Sequence, residues 1–331
     1  MRRLCLRTLR AALVLLAGAA MWCLTPQSGW AQGKYPERPI RLIVGYAPGG
    51  VADLTARLVA QKLSASMGQQ VIIENRPSAG GIIAAEAVAK AEPDGYTLLH
   101  MNSGNAISVS LFKSLSFDIV RDFAPVSRMG SFDVVVLANK DSPLNDIKDL
   151  VSAAKANPDK FNIGSINIGS TQHLAAEYFK GMTGLNIPII PFKTTPALIA
   201  AIKSNDIQAA FEILAPVMSF IKSGDLKALA VSADRRFPGI PNVPTLRESG
   251  FPAYQVTAWN AIAAPAKTPR EIIERLNKEI NAALAQPDIR KRLQDLGMNV
   301  HGGTPEELRE LLVSEITKWG DIVAAAKIEK Q

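Results

Sequence analysis

Short apolar runs alternate with longer amphipathic runs along almost the whole chain. The short runs are rich in valine and isoleucine, and in the longer runs the apolar residues recur at helical spacing. This alternation predicts parallel strands that helices bury on both faces. We therefore expect an α/β protein built from doubly wound sheets. The predicted strands are "IRLIV", "QVIIE", "YTLLHM", "DVVVLAN", "FNIGSIN", "IPIIPFK", "IQAAFEIL" and "LKALAVSA".

Threonine residues predict where two of the later helices begin. Thr268 precedes Pro269, which places a capping hydroxyl before a proline in the first helical turn. Thr304 stands three residues before Glu307, the spacing of a reciprocal capping box. We therefore expect the chain after Thr268 to be mainly helical and to pack one apolar face on a sheet.

The N-terminus has the pattern of an export signal. Residues 1–31 combine four arginines, no acidic residue and an apolar run that is too short to span a bilayer. Gly29 and Ala31 have the spacing of a cleavage site, so we expect a signal peptide that is cut after Ala31 and a periplasmic product. Two weaker alternatives are twin-arginine export through Arg2 and Arg3 and lipidation at Cys23.

Removal of this segment changes the charge and cysteine count. The segment carries four of the net seven positive charges, which leaves 7 − 4 = 3 and gives no reason to expect nucleic-acid binding. Both cysteines, Cys5 and Cys23, leave with it. The expected mature chain therefore has no disulfide or thiolate site, which suits an oxidising compartment.

The remaining length suggests two domains, since about 300 residues are left and a domain averages roughly 150. The sequence has no low-complexity linker. We therefore predict that the chain passes between the domains through ordered strands near "FDVVVLANKDSP" and "QVTAWNAIAAPAKTP", which would form a hinge. In this prediction residues 32–134 and 255–331 form domain 1, and residues 135–254 form an inserted domain 2.

The loops after the predicted strands are small and polar, and most of them lead directly into a helix. Glycines permit close backbone approach, and the amide hydrogens at a helix start form a positive pole. Such loops predict an anion site at the carboxyl edge of the sheets. The chain lacks both phosphate-loop glycine motifs, and Asp53 already occupies one helix start, so a carboxylate is favoured over a phosphate. The alternative is that these glycines only form tight turns. The loops are "YAPGGVAD", "NRPSAGG", "NSGNA", "INIGSTQ" and "KTTP".

Catalytic and metal-binding signals are weak. The histidines, His100, His173 and His301, are scattered without metal-ligand spacing, so no metal or cofactor is expected. An enzyme acting on an organic acid is the alternative to a binding protein. Its candidate acid–base groups would be Asp53, His173 and Glu212.

Several segments in order resemble the Bug-type substrate-binding proteins of tripartite tricarboxylate transporters. The resemblance covers residues 35–328 and depends on the combination of segments, since any one alone would be weak. It implies a type II periplasmic-binding-protein fold, in which two α/β domains close on a small carboxylate held partly by bridging waters. The segments are "YPERPIRLIVGYAPGGVADLTARLVAQKL", "VIIENRPSAGG", "AVAKAEPDGYTLL", "STQHLAAEYF" and "APAKTPREIIERLN".

The resemblance also implies a function and a set of ligand-binding residues. We expect a non-enzymatic, monomeric receptor that binds an organic acid, an acidic amino acid or an aromatic acid. Its partners would be membrane transporter subunits or the outer domain of a sensor. Ser78, Thr194 and Glu212 depart from the family pattern, and the last two leave the far end of the ligand open. The implied ligand-binding residues are Tyr46, Ala47, Pro48, Gly49, Asp53, Ser103, Asn105, Ser165, Gly169, Ser170, Thr171, His173 and Glu212.

Overall fold

The computed structural model describes residues 35–331, so the predicted signal peptide lies outside the described residues. Residues Arg38–Gln331 form one compact unit. The strands are β1 Ile40–Val44, β2 Val71–Asn75, β3 Thr97–Asn102, β4 Phe123–Asn139, β5 Ile163–Ile166, β6 Ile189–Phe192, β7 Ala209–Ile213, β8 Leu226–Val231, β9 Thr257–Pro265 and β10 Met298–Val300. The helices are α1 Val51–Met67, α2 Ile82–Ala89, α3 Ser103–Leu111, α4 Ile147–Ala156, α5 Thr171–Thr183, α6 Thr195–Lys203, α7 Leu214–Lys222, α8 Arg270–Ala285, α9 Pro287–Asp295 and α10 Pro305–Ala325.

One group of strands, which we call the first lobe, begins as a parallel sheet. β1 pairs in parallel with β2 and β3, as the apolar runs predict. β9 then pairs antiparallel with β3 and with the first part of β4, and β10 adds an antiparallel edge to β4. Four of the five residues of β1 are buried, because α1 and α2 pack against this strand, and only Arg41 is exposed.

The second group, the second lobe, is built on the other part of β4. β5 pairs in parallel with β6 and β7, while β7 and β8 lie antiparallel to β4. The partner of β4 changes between Asp133, which is paired with β9, and Val134, which is paired with β7. A single strand therefore passes through both lobes. The predicted assignment of residues to two domains stays a prediction.

Ser232 connects the two places where the chain passes between the lobes. Its hydroxyl accepts a 2.9 Å hydrogen bond from the Val134 amide and donates to the Val256 carbonyl. Its own amide donates to the Val134 carbonyl over 2.8 Å, and its carbonyl accepts from the Val256 amide over 3.2 Å. Ser232 is fully buried, so these bonds hold both crossing segments together without competition from water.

The last helix, α10, covers the first lobe. It packs on α3 and β4, and its residues Leu308, Leu312 and Trp319 are buried. The predicted capping box at its start is present, since Thr304 accepts from the Glu307 amide and Glu307 accepts from the Thr304 amide. The predicted cap at Thr268 is wrong. Pro269 holds the capping position of α8, and the buried Thr268 hydroxyl has no partner among the described residues.

Candidate functional site

A cavity of about 1060 Å³ lies between the two lobes. Helices from both lobes begin at its wall: α1 and α3 from the first, and α5, α6 and α7 from the second. The first turns of these helices present amide hydrogens that lack intrahelical partners. The cavity wall therefore combines several positive helix ends. Of the described residues that line it, only Lys193 is basic and only Glu212 is acidic.

The implied ligand-binding residues divide into two sets by position. One set lines the cavity; the other comprises the exposed loop residues Pro48 and Gly49 and four buried residues. The lining residues are Tyr46, Ala47, Ser103, Gly169, Ser170, Thr171 and Glu212. The residues that are not part of the lining are Pro48, Gly49, Asp53, Asn105, Ser165 and His173.

Asp53 is buried and stabilises the first-lobe loop "YAPGGVAD" through hydrogen bonds. Its Oδ2 accepts from the Gly49 amide and from Arg57 Nε, each over 2.9 Å, and its Oδ1 accepts from Asn75 Nδ2 over 2.9 Å. The same Asn75 nitrogen donates to the Tyr46 carbonyl over 3.0 Å. Burial opposes ionisation of Asp53, but the hydrogen bonds from Arg57, Gly49 and Asn75 outweigh it and lower the pKa. The carboxylate is therefore satisfied by protein donors and fixes the course of the loop.

His173 occupies the corresponding place in the second-lobe loop. The Gly169 amide donates to His173 Nδ1 over 3.4 Å, and the His173 amide donates to the Ser170 hydroxyl over 3.1 Å. That hydroxyl also donates to the Ile166 carbonyl. Burial lowers the pKa of His173, which keeps its ring neutral and able to accept. The imidazole thus accepts a hydrogen bond from the loop backbone and stabilises the loop.

Two asparagines join the remaining first-lobe loops. Asn102 Oδ1 accepts from the Tyr46 hydroxyl over 3.0 Å and from the Gly104 amide over 2.8 Å. Asn105 closes a capping box because its Oδ1 accepts from the Asn102 backbone amide, and its Nδ2 donates to the Gly80 carbonyl over 2.9 Å. Asn105 is fully buried, which makes it a connector between the start of α3 and the neighbouring loop.

Glu212 is the penultimate residue of β7, lines the second-lobe side of the cavity and accepts hydrogen bonds from protein groups. Its carboxylate accepts from Gln172 Nε2 and the Thr195 hydroxyl, each over 2.8 Å, and from the Ile213 amide over 2.7 Å. Burial raises the pKa of Glu212, and these three hydrogen bonds oppose part of the shift. One carboxylate therefore ties together the starts of α5, α6 and α7.

Several lining residues are missing from the predicted site. Ser78, Ala79 and Gly80 belong to the "NRPSAGG" loop, which the sequence marks as a ligand loop without identifying its residues. Lys193 could have been predicted as a lining residue, because it is the first residue of the "KTTP" loop, which the sequence indicates as a ligand loop. Trp259 and Asn260 line the cavity from β9; their place in an apolar strand favours packing at the hinge over a ligand-stacking role, so the predicted site does not include them.

Metal-binding clusters and membrane-spanning helices are both absent from the described part of the chain. It contains no group of three or more His, Cys, Asp or Glu side chains placed to hold a metal ion. None of its helices is long and apolar enough to cross a lipid bilayer.

Two α/β lobes around a cavity lined by helix starts define a solute-binding protein of the periplasmic-binding-protein fold. The solved periplasmic binding protein BugD is similar, with a TM-score of 0.76 and 32% identity over 90% of this chain and 100% of BugD. Residues 55–328 match the tripartite tricarboxylate transporter family receptor. The chain belongs to this family, whose members are solute-binding receptors. The predicted resemblance is confirmed.

Two similar structures contain ligands. MatC from Rhodopseudomonas palustris, solved with bound malate, is 33% identical with a TM-score of 0.74, covering 87% of this chain and 100% of MatC. Another R. palustris protein, solved with adipate, is 31% identical with a TM-score of 0.79, covering 90% of this chain and 100% of that protein. Malate and adipate are both carboxylates.

Proposed function

We propose that the chain is a periplasmic receptor that binds a small carboxylate between its lobes and delivers it to the membrane subunits of a transporter. The observation that carries this proposal is that helices from both lobes begin at one cavity, which also contains Lys193. The predicted signal peptide and the receptor family support the periplasmic location.

Backbone amides at helix starts can supply much of the affinity. A charge-assisted hydrogen bond contributes roughly 1.5–3 kcal/mol, and a micromolar complex requires about 8 kcal/mol after entropic losses. A few such bonds from each lobe are therefore sufficient. Because both lobes contribute, the ligand is bound most tightly when the lobes close on it.

We assign the two ends of the ligand to different lobes. One carboxylate would lie against the first-lobe loops, where Tyr46, Ala47 and Gly80 line the cavity. Lys193 in the second lobe provides a positive charge for a second carboxylate or another acceptor. Glu212 is occupied by three protein donors, so we propose that it shapes the second-lobe wall and is not the principal ligand contact.

A ligand panel tests this proposal. Purified protein is mixed with mono- and dicarboxylates, including malate and adipate, and both thermal stabilisation and chemical conversion are measured. A binding acid raises the melting temperature through mass action and is recovered unchanged. Conversion of the acid would show an enzyme, and absence of stabilisation by every acid would contradict the carboxylate receptor.

The role of Lys193 is tested by Lys193→Gln. We expect this variant to bind a dicarboxylate on the order of tenfold more weakly, because one charge-assisted contact is lost. Lys90→Gln is a matched control, because it makes the same change in net charge. Lys90 is exposed in the first lobe, where it pairs with Glu86. Equal affinity of the two variants would exclude Lys193 from the site.

A further inference from the structure

A buried carboxyl group lies where the chain passes between the lobes. Asp133 is the last residue of β4 that pairs with β9, and the next residue pairs with β7. Its side chain is fully buried, and only Oδ1 has a partner, Asn299 Nδ2 at 2.7 Å. Oδ2 has no hydrogen-bond partner within residues 35–331. An ionised carboxylate with an unsatisfied oxygen is costly in such a place.

Charged and titratable groups from several elements lie around this carboxyl group. Asp234 and Arg235 come from the segment after β8, which returns the chain to the first lobe, and Asp234 adds like-charge repulsion. His301 follows β10 and contacts the Ser131 hydroxyl over 3.3 Å. The nearby cations Arg128, Arg235 and Arg290 disfavour a charge on His301. The cluster thus contains groups from the first lobe and from both crossing segments.

We propose that protonation of Asp133 regulates the hinge, with the protonated acid favouring the lobe arrangement of this structure and the ionised acid favouring a more open one. In this arrangement the lobes touch across the cavity, since Leu111 of the first lobe packs against Gly169 of the second. Rotation of the lobes about Asp133 and Val134 would let water reach Oδ2. The inference rests on the proposed receptor function only where it concerns ligand affinity.

The sign of the pH effect follows from the proton affinity of this arrangement. Burial, together with the charge of Asp234, raises the pKa of Asp133 to about 7, whereas a hydrated carboxyl has its ordinary value of 3.8. The arrangement seen here therefore binds the proton more strongly. Raising the pH through 7 favours opening, and an acid that requires closed lobes is bound more weakly. His301 does not titrate in this range, because burial and the adjacent arginines lower its pKa to about 4.

The first test needs no ligand. Residues 35–331 contain no cysteine, so spin labels can be placed at two exposed sites by Lys155→Cys in the second lobe and Lys278→Cys in the first. We expect the measured inter-label distances to shift between pH 6 and pH 8 in the otherwise unchanged protein. Asp133→Asn, which imitates the neutral acid, should show the pH 6 distribution at both pH values. Equal pH responses in the two proteins would overturn the proposal.

The second test measures affinity for malate at the same two pH values, where malate itself is ionised. We expect binding up to tenfold weaker at pH 8 than at pH 6, and no such loss in Asp133→Asn. Asp234→Asn changes an exposed residue and should move the response to lower pH by removing the like charge. A response unchanged in both variants would overturn the proposal. Failure of every acid to bind would instead overturn the receptor function, while the distance measurement would still report on the hinge.

Discussion

At the scale of single residues, the two cavity loops share one construction. In each loop a glycine with positive φ, Gly49 at 81° or Gly169 at 78°, donates its amide to the side chain four residues later. The acceptor is Asp53 in the first lobe and His173 in the second. Each acceptor therefore satisfies one loop amide with a protein side chain and fixes the course of the loop.

Replacement of Asp53 by asparagine tests the role of this carboxylate. The asparagine NH₂ group would face groups that now donate hydrogen bonds to the Asp53 carboxylate. Because two donors cannot pair, we expect the free energy of unfolding to fall by roughly 1–3 kcal/mol. Affinity for the ligand should fall as well, because the loop loses its fixed course. Chemical denaturation and calorimetric titration measure the two effects. Asp225→Asn, which removes an exposed partner of Lys203, is the control and should change stability by less than about 1 kcal/mol.

Gly169 should be irreplaceable for a steric reason that Gly184 does not share. Both glycines have positive φ, so alanine strains the backbone at either position. Only at Gly169 would a Cβ atom collide with Leu111, whereas nothing lies within 4 Å of a Cβ at Gly184. We expect Gly169→Ala to weaken ligand binding by tenfold or more by holding the lobes apart. Gly184→Ala should lose stability but keep its affinity, and similar affinities for the two variants would disprove the steric argument.

The sequence predicts which loops form the cavity better than which residues face it. Tyr46 and Ser170 line the cavity as implied, but Asp53 and His173 point into the loops, because unpaired loop amides require acceptors. Whether a polar side chain in such a loop serves a ligand or the backbone depends on hydrogen bonds formed in three dimensions. The residue types alone do not distinguish the two roles.

At the scale of elements, the parallel pairings were predictable and the antiparallel ones were not, since the runs that form β4 and β8 were expected to pair in parallel but lie antiparallel to each other. β1 and β5 are short, largely buried strands with parallel partners, as expected. β4 is much longer than the predicted "DVVVLAN" strand. Its first part was not predicted, because Pro125, Arg128 and Gly130 interrupt the apolar pattern. The register with β9 shifts at these points, so the strand has bulges and no regular alternation. This irregular part carries the chain to the point where it enters the second lobe.

Ser232 is the element-scale position where a small change should matter most. Ser232→Ala removes the partner of the Val134 amide and one partner of the Val256 carbonyl, both in the buried crossing segments. We expect the free energy of unfolding to fall by roughly 1–3 kcal/mol, measured by urea denaturation. Ser66→Ala, at an exposed serine of α1, should change it by less than about 0.5 kcal/mol. Equal losses would mean that Ser232 does not join the crossing segments.

At the scale of the whole molecule, Asp133 makes the stability of the protein depend on pH. A carboxyl group whose pKa rises from 3.8 to about 7 on folding contributes stability below pH 3.8, and this contribution is lost as the pH rises through 7. The folded state holds a proton there that the unfolded state has released. His100 and His301 act in the opposite direction, because burial lowers both pKa values to about 4 and stability is lost as the pH falls below 6.5.

Comparison of Asp133→Asn with the unchanged chain isolates the contribution of Asp133, since the two histidines are common to both proteins. The asparagine variant has no proton to lose at this position. Its stability relative to the unchanged chain should therefore rise by about 2–3 kcal/mol between pH 5 and pH 8, because each unit of pKa difference corresponds to about 1.36 kcal/mol. Urea denaturation at several pH values measures this difference, and Asp225→Asn serves as the control at an exposed carboxyl group. A constant difference across this range would mean that Asp133 is already ionised in the folded protein, and the hinge would then have no proton to release.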